Sequence, residues 1–170
     1  MTSPPTSTLP SNSLLLIPNK PEDPIRTFHK SFPDFLTDPE RCRDKQFLVE
    51  PAVQHTEILF SCLNLMKARL KKNICNLDDY TTLREVKDLS AQKRNHIGDA
   101  LEYACRFWTK HLLEIPGTSS CVQEVQKAID IFFTTCLLYW IEVLALTRNL
   151  GVGVYAINEI EQWYTLVSAV

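Results

Sequence analysis

Histidine and cysteine are the residue types here best suited to chemistry, and their spacing decides what chemistry is open to them. The histidines are His29, His55, His96 and His111. No HExxH motif occurs, and no two histidines have the i,i+4 separation that sets a pair of imidazoles on one helical face for zinc. His55 and Glu57 are too close in sequence to share a face, and Cys62 lies about two helical turns beyond His55. His111 follows Lys110 and precedes Glu114. With ligand spacing absent, His55, His96 and His111 read as surface or boundary histidines.

The cysteines are Cys42, Cys62, Cys75, Cys105, Cys121 and Cys136, widely and irregularly spaced and without a CxxC pair. Neither a structural zinc site nor a redox dithiol is indicated. Cys62, Cys105 and Cys136 fall inside apolar helical patterns, where a reduced thiol behaves as a small hydrophobe. None sits in a nucleophile motif, which leaves a Cys–His hydrolase without support. The carboxylate pairs Glu22–Asp23 and Asp78–Asp79 lie in polar connections and read as solvated turn residues. GxxxxGK[ST] is absent, and with four glycines the chain has little of the flexible loop a phosphate cradle needs. We therefore expect no catalytic residue, no metal ligand set and no cofactor belonging to this chain alone.

These side chains need elements to carry them. At 170 residues, 45% of them apolar, the chain can bury about two-thirds of its extended surface. The first 13 residues are rich in Ser, Thr and Pro and read as a disordered leader, with neither the basic nor the apolar region of a signal peptide. Leu14–Ile17 and Ile25–Phe28 flank a Pro/Asp-rich turn and suggest a small hairpin. A compact turn or helix is expected at residues 29–36. Pro51 opens the first long helix, in the one helical position where its missing N–H costs nothing. Apolar residues then recur close to every 3.6 positions as far as Leu70. Residues 73–89 look like a connection around a short helix. A second long helix is expected from about Ser90 to Leu113, a third over about 121–148, and a last from roughly 153 to 168. Ser120 with Gln123 or Glu124 offers a cap for the third. The fold class is all-α, an irregular helical bundle preceded by a small β-hairpin.

Composition also bears on partners. The net charge of -2 gives no reason to expect nucleic acid. Lys67, Arg69, Lys71 and Lys72 gather where a helix C-terminus favours cations, with no aromatic interleaving. The apolar stretch from Ala128 to Thr147 nearly matches a bilayer in length. Asp130 and Glu142 within it would be costly in hydrocarbon, and the core helix of a soluble bundle accounts for it better. The cysteine usage points to a reducing, cytoplasmic compartment, although an even number leaves a disulfide framework open by arithmetic. Phe107, Trp108, Phe132, Phe133, Tyr139, Trp140, Trp163 and Tyr164 exceed what one helix face can hide. Part of this set should build the core and part an interface with a neighbouring domain or a second copy.

Residues 28–36, Phe-His-Lys-Ser-Phe-Pro-Asp-Phe-Leu, resemble the end of the winged-helix domain in fungal NACHT-containing proteins of the STAND class of signalling ATPases. That class closes the domain with Met-His-Asp and, after a short gap, Asp-Leu. Here Phe28 stands at the methionine position, His29 at the histidine, Lys30 in place of the first aspartate and Asp34 at the second. The segment from Ser31 to Cys42, SFPDFLTDPERC, is similar to the fungal form. Three later segments, Asn73–Leu77, Tyr103–Trp108 and Tyr139–Glu142, resemble the helical region that follows. The resemblance spans about residues 14 to 165. It implies a winged-helix remnant over 14–44 and a helical domain over 45–170. It also implies that His29 could reach the diphosphate of ADP if an ATPase core were supplied. The implied role is that of a regulatory helical segment of a STAND/NACHT-type protein, with a nucleotide-binding domain or other protein as partner. The alternative is a free-standing helical adaptor or self-associating module.

Overall fold

The structure, a computed structural model, describes residues 14–18, 26–78, 82 and 84–169. The chain forms two compact units, residues 1–50 and 51–170. In the first, β1 (Leu15–Leu16) pairs antiparallel with β2 (Arg26–Thr27), Leu15 opposite Thr27. The Phe28 N–H extends the ladder to the Leu14 carbonyl at 3.0 Å. The leader, the hairpin turn and the Glu22–Asp23 pair lie outside the described residues, as does Asp79. Helix α1 (Ser31–Leu36) follows, and the Val49 N–H donates to the Leu36 carbonyl at 2.8 Å, returning the chain to the end of that helix.

The second unit is helical throughout: α2 (Pro51–Arg69), α3 (Leu89–His96), α4 (Gly98–Leu113), α5 (Val122–Thr135), α6 (Leu137–Leu146) and α7 (Leu150–Ser168). The all-α class preceded by a two-stranded hairpin holds. Helix α4 is the centre, packing on α2, α6 and α7, while α5 packs on α2. Its stripe of Leu101, Ala104, Cys105, Trp108 and Leu112 is buried and meets Leu59, Cys62, Leu63 and Met66 of α2. Trp108, Trp140 and Trp163 are all fully buried. Trp108 and Trp140 meet edge-on at 6.2 Å, with the Phe132 ring 4.8 Å from Trp108 and 5.6 Å from Trp140.

Several expected helices divide. The helix expected from Ser90 to Leu113 is broken at Gly98, whose φ of +67° is the left-handed conformation that only glycine adopts without strain. The helix expected over 121–148 splits at Cys136 into α5 and α6, bent by 72°. Just before the bend, Thr134 Oγ1 donates to the Asp130 carbonyl at 2.9 Å and Thr135 Oγ1 to the Ile131 carbonyl at 2.6 Å. Such back-bonding by β-hydroxyls competes with the helical ladder and bends it. Among the described residues no single helix is long and apolar enough to cross a membrane. No side chain caps α5 by hydrogen bonding: Cys121 is its N-cap, and Ser120 lies one residue too early.

Helix α6 ends in a Schellman motif, with Arg148 at φ +60°. The Arg148 N–H bonds to Ala145 and the Asn149 N–H to Leu144, at 3.1 and 2.7 Å. Because that motif turns the chain so early, α7 starts at Leu150 and runs through Gly151 and Gly153. A Cβ on Gly153 would stand 3.2 Å from Leu144, so the missing side chain is what brings α7 close to α6. No helix forms among the described residues between α2 and α3; the chain makes turns there instead.

Candidate functional site

Three polar arrangements stand out. The first lies at the start of α1 on the smaller unit. His29 is exposed, and its Nδ1 accepts the Ser31 N–H at 3.1 Å and lies 2.9 Å from Ser31 Oγ. An Nδ1 that accepts a backbone N–H carries no hydrogen of its own, so the neutral ring holds its proton on Nε2. That N–H is left to donate outward, the geometry a phosphate oxygen would need. Among the described residues the Lys30 side chain makes no hydrogen bond or ion pair, and Asp34 sits in the first turn of α1.

The second arrangement joins the three later segments of the family resemblance. Residues 73–77 close on themselves: Asn73 Nδ2 donates to the Leu77 carbonyl and the Leu77 N–H returns to Asn73 Oδ1, both at 2.7 Å. Asn73 and Asn76 hold positive φ, 51° each, and Ile74 and Cys75 turn into the core. Glu142 of α6 then receives the N–H groups of Asn73 and Ile74, one on each carboxylate oxygen, both at 3.0 Å. Two residues earlier on α6, Trp140 Nε1 donates to the Cys105 carbonyl of α4 at 2.8 Å. One short stretch of α6, Tyr139–Glu142, thus grips both Asn73–Leu77 and Tyr103–Trp108. The segments that carry the resemblance are bonded to one another and build the frame of the domain. Glu142 in an apolar helix is explained by the backbone N–H groups it satisfies.

The third arrangement was not foreseen. His55 on α2 and His111 on α4 meet, Nδ1 to Nδ1, at 2.9 Å, and the remaining ring nitrogen of His111 lies 2.8 Å from Tyr103 Oη. His111 is 8% exposed, which corrects its reading as a surface or boundary residue. Burial holds its pKa below the usual histidine range; the neighbouring His55 adds to this and Glu114 opposes it. The only sequence signal was that positions 108, 111 and 112 fall on one side of α4, which makes His111 part of the inward stripe. His96 ends α3 half-buried, and its carbonyl accepts a hydrogen bond from Arg69 at 2.9 Å. No group of three or more metal-binding side chains converges among the described residues.

All six cysteines are free, and five are buried. Burial raises the Cys62 thiol to about 11 and the Cys105 thiol to about 12, so both are protonated near neutral pH. The aromatic residues expected at an interface are all buried or half-buried. The exposed apolar surface is mostly aliphatic instead: Leu150, Val154 and Ile157 lie along the outer side of α7, and Leu138 stands out from α6 at 75% exposure.

Comparison with known proteins gives one partial similarity. Over 108 residues, 61% of this chain, the sequence is 31% identical to the vegetative incompatibility protein HET-E-1 of Podospora anserina. The chain spans only 8% of the length of that protein. No family model matches, and no solved structure matches.

Proposed function

We propose that this chain is a non-catalytic regulatory helical segment of a STAND/NACHT-type signalling protein, coupling a nucleotide-binding core to a sensor domain. The similarity to HET-E-1, covering most of this chain but a small part of that protein, is the observation that carries the reading. It agrees with the resemblance of residues 28–42 to the end of a winged-helix domain. The frame formed by residues 73–77, 103–108 and 139–142 supports it physically, because helices bonded to one another this way move as a body. Repacking such a body against a neighbour is how a nucleotide state would be transmitted. Within this reading His29 donates from Nε2 to the diphosphate of ADP held by the adjoining core.

The test has two arms. Calorimetric titration of the isolated chain with ADP and ATP should show no binding at micromolar concentrations; binding there would overturn the regulatory reading. The reading frame upstream should encode a P-loop core, and in that parent protein His29→Ala should speed ADP release about tenfold, the loss of one charge-assisted hydrogen bond. An unchanged release rate would remove His29 from the mechanism. A frame without a P-loop would favour the second reading, a self-associating or adaptor module, for which the aliphatic row Leu150, Val154 and Ile157 on α7 speaks.

A further inference from the structure

The contact between α2 and α4 holds a polar pair that the proposed function does not use. His55 Nδ1 and His111 Nδ1 are 2.9 Å apart. Two ring nitrogens at that separation share one hydrogen, one donating and the other accepting. Proton counting then gives three states. With both imidazoles neutral, an N–H···N bond ties α2 to α4. With one proton added the bond survives, now charge-assisted, because one Nδ1 still has a free lone pair. With two added, both Nδ1 atoms carry hydrogen, no acceptor remains, and two cations face each other at contact distance.

We propose that the His55–His111 pair is a proton-counting clasp, closed with no proton or one proton added and opened by the second, which releases the first turns of α2 from the end of α4.

The surroundings suit such a device. His111 is buried, while His55 is half-buried and Tyr103 is 45% exposed, so protons have an entrance beside a dry interior. The groups packed around the pair do little to neutralise a second charge. On α4, Glu114 acts on His111, and its pull opposes but does not overcome burial and the repulsion of His55. On α2, Cys62 faces Tyr103, whose phenol is pushed upward by burial and by that thiol and so stays protonated. From α7, Glu159 is taken by Thr109 Oγ1 and by Lys110. From α6, Glu142 is taken by the N–H groups of Asn73 and Ile74, and from α3, Lys93 reaches the Leu146 carbonyl. At the start of α5 the neighbour of α2 is the Cys121 thiol, which contacts Thr56.

The direction in pH follows from proton binding. An unfolded histidine titrates at about 6.5, and His111 in the fold does so at lower pH. Below that value the open chain binds more protons than the closed one. The clasp's contribution is complete above pH 6.5 or so and is lost as the solution is acidified.

Amide hydrogen exchange of the full 170-residue chain tests this, followed from about pH 7.5 to about pH 5 and corrected for intrinsic exchange. Opening of the first two turns of α2 should rise by up to about tenfold per pH unit as the second proton binds. In His55→Asn the side-chain carbonyl accepts the His111 Nδ1–H at either charge and the facing cation is gone, so that rise should shrink to what the burial of His111 alone gives, while exchange in α7 is unchanged. The same acid profile in variant and parent would overturn the clasp. Should the variant fail to fold, imidazole nitrogen NMR of the parent chain decides. Two coupled titration steps are expected, the second well below the first; two independent steps near 6.5 would overturn it.

Discussion

A carboxylate inside an apolar helix costs free energy unless something answers its charge. Glu142 is answered by two backbone N–H groups, and this gives the residue a measurable weight. Hydrogen bonds to charged groups contribute about 1.5–3 kcal/mol each, and partial exposure of Glu142 puts the pair toward the lower end of that scale. Glu142→Ala should destabilise the domain by about 3 kcal/mol, read as a lower urea midpoint with unchanged slope. A midpoint equal to that of the parent would mean the 73–77 turn is held without it. The same scale separates the histidines. At His29 a compact turn or helix over 29–36 was legible, whereas the Ser31 N–H donated to its ring emerged only from the structure. At His111 only the inward register could be read; its partner His55 sits on another helix, and no spacing rule reaches across two elements.

At the scale of elements, apolar periodicity located the helical segments, and Pro51 marked the start of α2. Periodicity does not register a bend that keeps the apolar side turned inward, so the breaks at Gly98 and Cys136 passed unseen. Gly98 was visible as a glycine, and Thr134–Thr135 as a hydroxyl pair, but both are tolerated in continuous helices and become breaks only where packing demands one. Two substitutions at left-handed positions should act in opposite directions. Gly98→Ala forces a Cβ into φ +67° and should cost about 1–2 kcal/mol. Arg148→Gly relieves the same strain at φ +60° in the Schellman turn and should raise stability by up to about 1 kcal/mol. Calorimetric melting of both proteins gives the signs, and two shifts in the same direction would refute the assignment of strain.

At the scale of the molecule, burial governs the thiols. Cys62 and Cys105 lie in the core with pKa values pushed to about 11 and 12, whereas Cys121 is half-buried beside the hydroxyls of Thr56 and Ser119. Alkylation under native conditions should label Cys121 first. Cys62 and Cys105 should react only at the rate of global opening, accelerating with denaturant as the stability falls. Mass spectrometric mapping of the labelled sites checks this, and early labelling of Cys105 would show that the core opens locally.

What the sequence determined by itself is the helical class, the hairpin before it, the approximate helical segments and the absence of the commoner nucleotide and metal motifs. All of these follow from composition and from periodicities that repeat within a few turns of chain. The tertiary structure alone decided that Glu142 would hold the 73–77 turn, that Trp140 would reach the Cys105 carbonyl, and that His55 would meet His111. The reason is physical: each of these contacts joins residues far apart in the chain, and the partner is chosen by which helix faces close against each other in the core, not by spacing along the backbone.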